Sequence, residues 1–198
     1  MKKIFLALAV AIFCTAGVNA QINFGLKAGM TAANMKASGG GITVSMDTKI
    51  GFYAGALAEI GVSENFSVQP ELFYSLLGSK MNFEGITAKD DLSYINLPVL
   101  AKYRKDGFSL FLGPQVSYLV AAKEKINGAD FEDDENGDIK DEMKSIDFSG
   151  VIGAGYTLAN GFGFDARYQL GLSNNYKNNE DGMTLKNSAF LVGIHYKF

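Results

Sequence analysis

The chain has 198 residues, with 18 Lys and Arg against 21 Asp and Glu, one His, one Cys and a formal charge of −3. An acidic chain is a poor match for nucleic acid, whose phosphates call for a basic surface, and a single cysteine excludes an internal disulfide framework. Glycine contributes 23 residues and proline 3, with 15 Phe, 9 Tyr and no Trp, which favours strands and tight turns over helices.

MKKIFLALAVAIFCTAGVNA begins with Lys2 and Lys3, runs apolar from Ile4 to Ala16 and exits through Val18-Asn19-Ala20. This is the layout of a secretory signal peptide over residues 1–20, with cleavage expected before Gln21. The apolar run is too short to cross a bilayer as a helix. Phe13 stands directly before Cys14, where a lipoprotein site needs a small residue. Removing the leader removes the only cysteine and two lysines, leaving 16 basic against 21 acidic residues and a charge of −5. The remaining chain, residues 21–198, fits one domain.

In chain order, alternating stretches fall at 22–32, 48–60, 66–77, 92–104, 108–121, 145–158, 162–173 and 187–198. Each is long enough to span hydrocarbon as a tilted strand, which takes about 9–11 residues. Short connections (Gly61–Asn65, Lys105–Gly107, Ala159–Gly161) take turns with long ones (33–47, 78–91, 122–144, 174–186). The last two short ones carry Asp-Gly and Asn-Gly hairpin signals. The pattern predicts an all-β, eight-stranded antiparallel up-and-down barrel, with long extracellular loops, short periplasmic turns and both mature ends at the short-turn side.

In 66–77 one face is Phe66, Val68, Pro70, Leu72, Tyr74 and Leu76, and the other includes Ser67, Gln69, Glu71 and Ser75. In 162–173 Phe162, Phe164, Ala166, Tyr168, Leu170 and Leu172 oppose Gly163, Asp165, Arg167, Gln169, Gly171 and Ser173. Alternation alone also suits a soluble sheet with one buried face. The leader, the loop alternation, the even strand count and the terminal strand together favour the apolar face in lipid, with charges and glycines inside. An open sheet edge is then forbidden in hydrocarbon, which forces closure. Aromatic residues form two expected interfacial bands: Phe66, Tyr103, Phe108, Phe162, Tyr196 and Phe198 at the short-turn side, and Tyr74, Tyr94 and Tyr118 at the loop side. Pro70, Pro98 and Pro114 all fall inside strands, where each is expected to mark a bulge or a shifted register.

The segments INFGLKAG, GFYAGALAEI, FSVQPELFYS, LSYINLPVLAKY, FLGPQVSYLVAA, GVIGAGYTL, GFGFDARYQLGLSN and LVGIHYKF resemble the small outer-membrane β-barrel family of Gram-negative bacteria, in particular the Bacteroidetes-type group often labelled porin family. The resemblance covers the mature chain. It implies a barrel in the cell outer membrane, surrounded by lipid and lipopolysaccharide. It also implies delivery by periplasmic chaperones and insertion by the barrel assembly machinery, with Tyr196 and Phe198 in the terminal strand as the assembly signal. Eight strands make a narrow barrel that side chains can fill.

The inward parity carries Lys27, Lys49, Glu59, Glu71, Lys102, Arg104, Asp147, Asp165, Arg167, His195 and Lys197. Isolated charges in so narrow an interior are costly, so a paired network of Lys27, Glu59, Glu71, Lys102 and Arg167 is expected. His195 has no partner at ligand spacing and reads as a lumen residue, not a metal ligand or general base. The acidic run from Glu132 resembles a calcium loop but opens on Glu132 and carries Met143 where the bidentate Glu belongs, so it reads as a solvated loop. No catalytic residue, cofactor or metal is expected. The reading is a non-enzymatic outer-membrane barrel acting structurally or through its extracellular loops; a narrow channel for small solutes or ions is the alternative, and a membrane hydrolase or acyltransferase ranks third. Deleting Phe198 is expected to lower the yield of heat-modifiable folded barrel in the outer membrane, read by gel mobility before and after boiling.

Overall fold

A computed structural model describes residues 21–39, 42–83, 86–127, 135–175, 177 and 184–198; residues 1–20, where a signal peptide is expected, lie outside them. The strands are β1 (Ile22–Gly39), β2 (Ile42–Ser45), β3 (Asp47–Gly61), β4 (Phe66–Phe83), β5 (Ile86–Lys105), β6 (Phe108–Asn127), β7 (Glu135–Asp138), β8 (Ile146–Thr157), β9 (Phe162–Gly171) and β10 (Thr184–Lys197). Eight of them form a closed antiparallel barrel, each pairing with its barrel neighbours in chain order. Closure is made by β1 and β10, paired from Gly25↔Lys197 to Ser38↔Thr184. The short strands β2 and β7 add to β1 and β6 at the loop end.

The alternation decides which way each side chain points. Leu26, Met30, Phe52, Leu72, Leu112, Ile152, Phe164 and Ile194 are all more than half exposed on the outer wall. Their strand neighbours Lys27, Thr31, Tyr53, Glu71, Phe111, Val151, Asp165 and His195 are buried within it. Such an apolar belt on the outside is stable only against lipid. The Asp106–Gly107 turn has φ of 52° and 83°, the left-handed geometry that an Asp-Gly hairpin requires.

Three expectations change. The long connections are in large part strand: β4 and β5 run to Phe83 and from Ile86. There, Ser79, Lys80, Lys89 and Asp90 keep the ladder going. Polar Ser79 and Asp90 interrupt the apolar alternation that marks a strand, while the backbone pairing persists. Second, the prolines shift no register. Pro70↔Val99 and Phe73↔Asn96 keep one register across β4–β5, as do Pro98↔Gln115 and Ala101↔Leu112 across β5–β6. The three prolines lie side by side on β4, β5 and β6, so their missing donors interrupt pairing in one local patch that flanking rungs hold in place. The register shifts occur elsewhere, between Thr48 and Tyr53 and between Ser93 and Tyr94. Third, Tyr94 is 1 % exposed and points inward, with the parity of Asn96 and Lys102, so it is no part of the outer aromatic band.

Inward glycines make room for rings that cross the narrow interior. A Cβ on Gly193 would overlap the Tyr53 hydroxyl, one on Gly153 the Phe111 ring, and one on Gly163 the His195 imidazole. Gly193→Ala is therefore expected to destabilise the barrel by about 1–3 kcal/mol, measured as a lower urea midpoint in detergent. Adding Tyr53→Phe should recover part of that loss.

Candidate functional site in the barrel lumen

The interior is filled in tiers. Nearest the loops, Ala33, Leu92 and Leu119 are each 0 % exposed, with Met35, Leu77, Ala122 and Ala189 beside them. Met143, which follows a short 3-10 turn (Lys140–Glu142), packs into this layer, and Met46, Ile139 and Leu185 pack against it. These side chains form one packed apolar layer at the loop end of the lumen.

Polar groups sit beneath and beside this layer. Asn96 donates to Ser75 Oγ at 2.9 Å and accepts from Gln115 and Ser117 at 3.1 and 2.8 Å. Asp147 accepts from Ser173 Oγ and, at 3.1 Å, from Asn175 Nδ2.

The middle tier is ionic. Glu71 takes Lys27 Nζ at 2.9 Å and Arg167 Nη1 at 2.7 Å, both on Oε2, and Arg167 Nη2 lies 3.2 Å from Oε1. The same guanidinium donates through Nε and Nη2 to Asp165 Oδ1 at 2.9 and 2.8 Å. Aromatic faces complete the cage: Lys27 Nζ lies 5.2 Å from the Tyr53 ring centre and Arg167 5.0 Å from that of Phe111. In low dielectric, two cations and two carboxylates in mutual contact offset much of their desolvation cost.

Below lies a second cluster on Glu59, which receives Lys102 at 3.0 Å, Lys197 at 2.6 Å and Arg104 at 2.6 Å. Gln69 joins the two tiers: its Nε2 donates to Glu71 Oε1 at 2.7 Å and its Oε1 accepts from Lys102 Nζ at 3.0 Å. The structure thus brings Lys27, Glu59, Glu71, Lys102 and Arg167 into one connected set. Gln69, Arg104, Asp165 and Lys197 belong to it as well. Inward parity placed all four inside, but spacing along the chain does not reveal which strands face each other across the lumen. Lys49 stands apart near the loops, pairing with Asp91 and donating to the Asp90 carbonyl.

His195 lies between the Asp165 carboxylate, 3.5 Å from Nδ1, and Thr157 Oγ1, 3.0 Å from Nε2. Among the described residues no group of three or more His, Cys, Asp or Glu is placed to hold a metal. The acidic stretch 128–134 lies outside the described residues.

Glu71→Ala would strand Lys27 and leave Arg167 half-compensated in the dry centre, at an expected cost of about 3–5 kcal/mol. Urea titration of the refolded barrel, followed by tyrosine fluorescence, measures it. Leu72→Ala, on the lipid face one residue on, should cost far less.

No curated protein sequence matches the chain. Among solved structures, the neisserial surface protein A (NspA) is 15 % identical with a TM-score of 0.54, covering 88 % of this chain and 97 % of that one. Ail, the attachment invasion locus protein of Yersinia pestis, is 18 % identical with a TM-score of 0.48, covering 89 % and 98 %. OprG from Pseudomonas aeruginosa is 13 % identical with a TM-score of 0.44, covering 91 % and 97 %. At such identities the likeness speaks for the fold alone. Residues 18–177 match the family described as outer membrane protein beta-barrel domain, and the chain belongs to that outer-membrane β-barrel family.

Proposed function

We propose that this protein is a non-enzymatic, non-conducting outer-membrane barrel whose loop-end hairpins form an interaction surface outside the cell. The observation that carries this reading is the filled lumen. The apolar tier around Leu92, Leu119 and Met143 seals the loop end, and the Glu71 and Glu59 clusters occupy the interior beneath it. The channel alternative draws on the polar lower half of the lumen, but a conducting path would need the apolar tier to open.

Among the described residues, the Thr157–His195–Asp165 contact has the look of a nucleophile and base. It is better read as structural. The Thr157 amide donates to the Gly107 carbonyl at 2.8 Å, and β8 and β9 pair through Thr157↔Gly163, so the local backbone N–H groups serve the fold and not an oxyanion.

The orientation that fits this role puts the short turns in the periplasm and the hairpins outside. Lysines supply support. Lys36 faces Lys186 across β1–β10, and Lys80, Lys89 and Lys125 stand in a row across β4, β5 and β6. Like charges directly opposite one another are unfavourable on a bare sheet. They lie roughly 10 Å beyond Leu76 and Phe190 along the tilted strands, about the level of lipid headgroups. Lys125 lies 3.8 Å from Asp91 and Lys80 sits cross-strand from Asp47, and for Lys36, Lys89 and Lys186 phosphates of the lipopolysaccharide leaflet are suitable counter-ions.

Two measurements test the reading. Planar bilayers containing the purified barrel should show no recurrent unitary conductance; steady single-channel steps would replace it with the channel alternative. Because the only cysteine falls in residues 1–20, Lys89→Cys on intact cells should react with a membrane-impermeant maleimide and Asn160→Cys should not. The opposite labelling pattern would reverse the orientation.

A further inference from the structure

The short-turn mouth of the barrel opens into a vestibule of about 790 Å3, lined in part by Asn65, Lys102, Arg104, Thr157 and Lys197. Its floor is the Glu59 cluster. Lys102 and Lys197 both reach Oε2, at 3.0 and 2.6 Å, and Arg104 Nη1 lies 2.6 Å from Oε1. Three cations on one carboxylate leave two positive charges in excess. The tier above is balanced, with Lys27 and Arg167 set against Glu71 and Asp165. The surplus therefore lies on the side that faces the vestibule.

Arg104 is the exposed member of the floor. Its side chain is 34 % exposed, against 3 % for Lys102 and 11 % for Lys197. Its Nε is buried and has no hydrogen-bond partner, and its Nη1 lies 2.6 Å from Glu59 Oε1. With Nη1 held on Glu59 and Nε shielded, the part of this partly exposed guanidinium that an incoming group meets is its outer Nη edge. Glu64, Lys105 and Asp106 line the rim, are exposed and form no ion pair among the described residues. In water their fields are screened within about 10 Å, whereas the half-enclosed floor is screened less.

We propose that the vestibule is a binding site for a small soluble oxyanion, a phosphate or carboxylate group. Arg104 grips it through its fork, and Lys197 and Lys102 supply the balancing charge. An oxyanion with two oxygens in plane matches the guanidinium donors, which a spherical anion such as chloride does not. Binding would engage the outer Nη edge of Arg104 and neutralise the surplus in one step. The volume admits a group of metabolite size, not a folded partner.

The test uses the mature barrel refolded in a non-ionic detergent. Inorganic phosphate, sodium acetate and sodium chloride are titrated separately at constant ionic strength, and the backbone and arginine side-chain NMR signals of Asn65, Arg104 and Lys197 are followed. Phosphate or acetate should give saturable shifts confined to the vestibule, and chloride should not. Tighter binding of phosphate assigns a phosphate-type ligand, tighter binding of acetate a carboxylate. Arg104→Lys keeps the charge but loses the fork, and should weaken binding about tenfold. Lys105→Ala at the rim should leave it within about twofold of wild type. Non-saturating shifts, equal shifts with chloride, or unchanged affinity in Arg104→Lys would overturn the proposal. If Arg104→Lys does not fold, Lys197→Gln tests the charge instead: it removes one of the balancing cations and should weaken binding, and unchanged affinity would overturn the proposal.

Discussion

The structure depends on one requirement: in hydrocarbon, every backbone N–H and C=O must find a partner within the protein, at a cost of several kcal/mol for each that does not. Pairing β1 with β10 meets it by leaving no edge. Once the sheet closes, alternation sorts every strand residue into a lipid wall or a narrow lumen. The apolar outer belt and the charged interior therefore have the same cause. The proline patch on β4–β6 is the place where the ladder is weakest, and it is tolerated because rungs on either side preserve the register.

Closure with so few strands leaves an interior about wide enough for side chains, and the packing there follows from scarcity of space. Glycines on the lumen face give way to Tyr53, Phe111 and His195. Charges that cannot be hydrated must be paired, so Glu71 and Asp165 share Lys27 and Arg167. The division of the lumen into an apolar tier near the loops and an ionic tier toward the short turns gives its two ends different chemistry. One end is packed with Met143 and its apolar neighbours. The other opens on a cation-rich floor at Arg104.

Placing the Glu59 charge surplus at an open mouth and the balanced Glu71 cluster at the centre is consistent with the dielectric each occupies. A net charge is costly where water is absent and tolerable where it can be hydrated or take a counter-ion. The same logic accounts for the outer lysine rows, which stand beyond Leu76 and Phe190 along their strands. Charge in this barrel is sorted by depth as much as by sequence.

The period-two alternation, the turn dipeptides and the loop lengths determined the barrel, its strand count and the facing of most residues, because a closed sheet admits one sorting of each strand. The membership of the lumen was legible for the same reason: Lys27, Glu71, Lys102 and Arg167 declare their side by parity. Strand ends were not legible, since outside the lipid neither face of β4 or β5 has to be apolar. The inward turn of Tyr94 is legible by the same rule, since it shares the parity of Lys102, although its residue type also suits an interfacial band. Pairing across the lumen was left wholly to the tertiary structure. Gln69 bridges Glu71 and Lys102, and Arg167 meets Glu71 from a distant strand. Strand order and register locate residues along the wall, but which side chains meet across a closed interior is set by side-chain length and the curvature of the closed sheet.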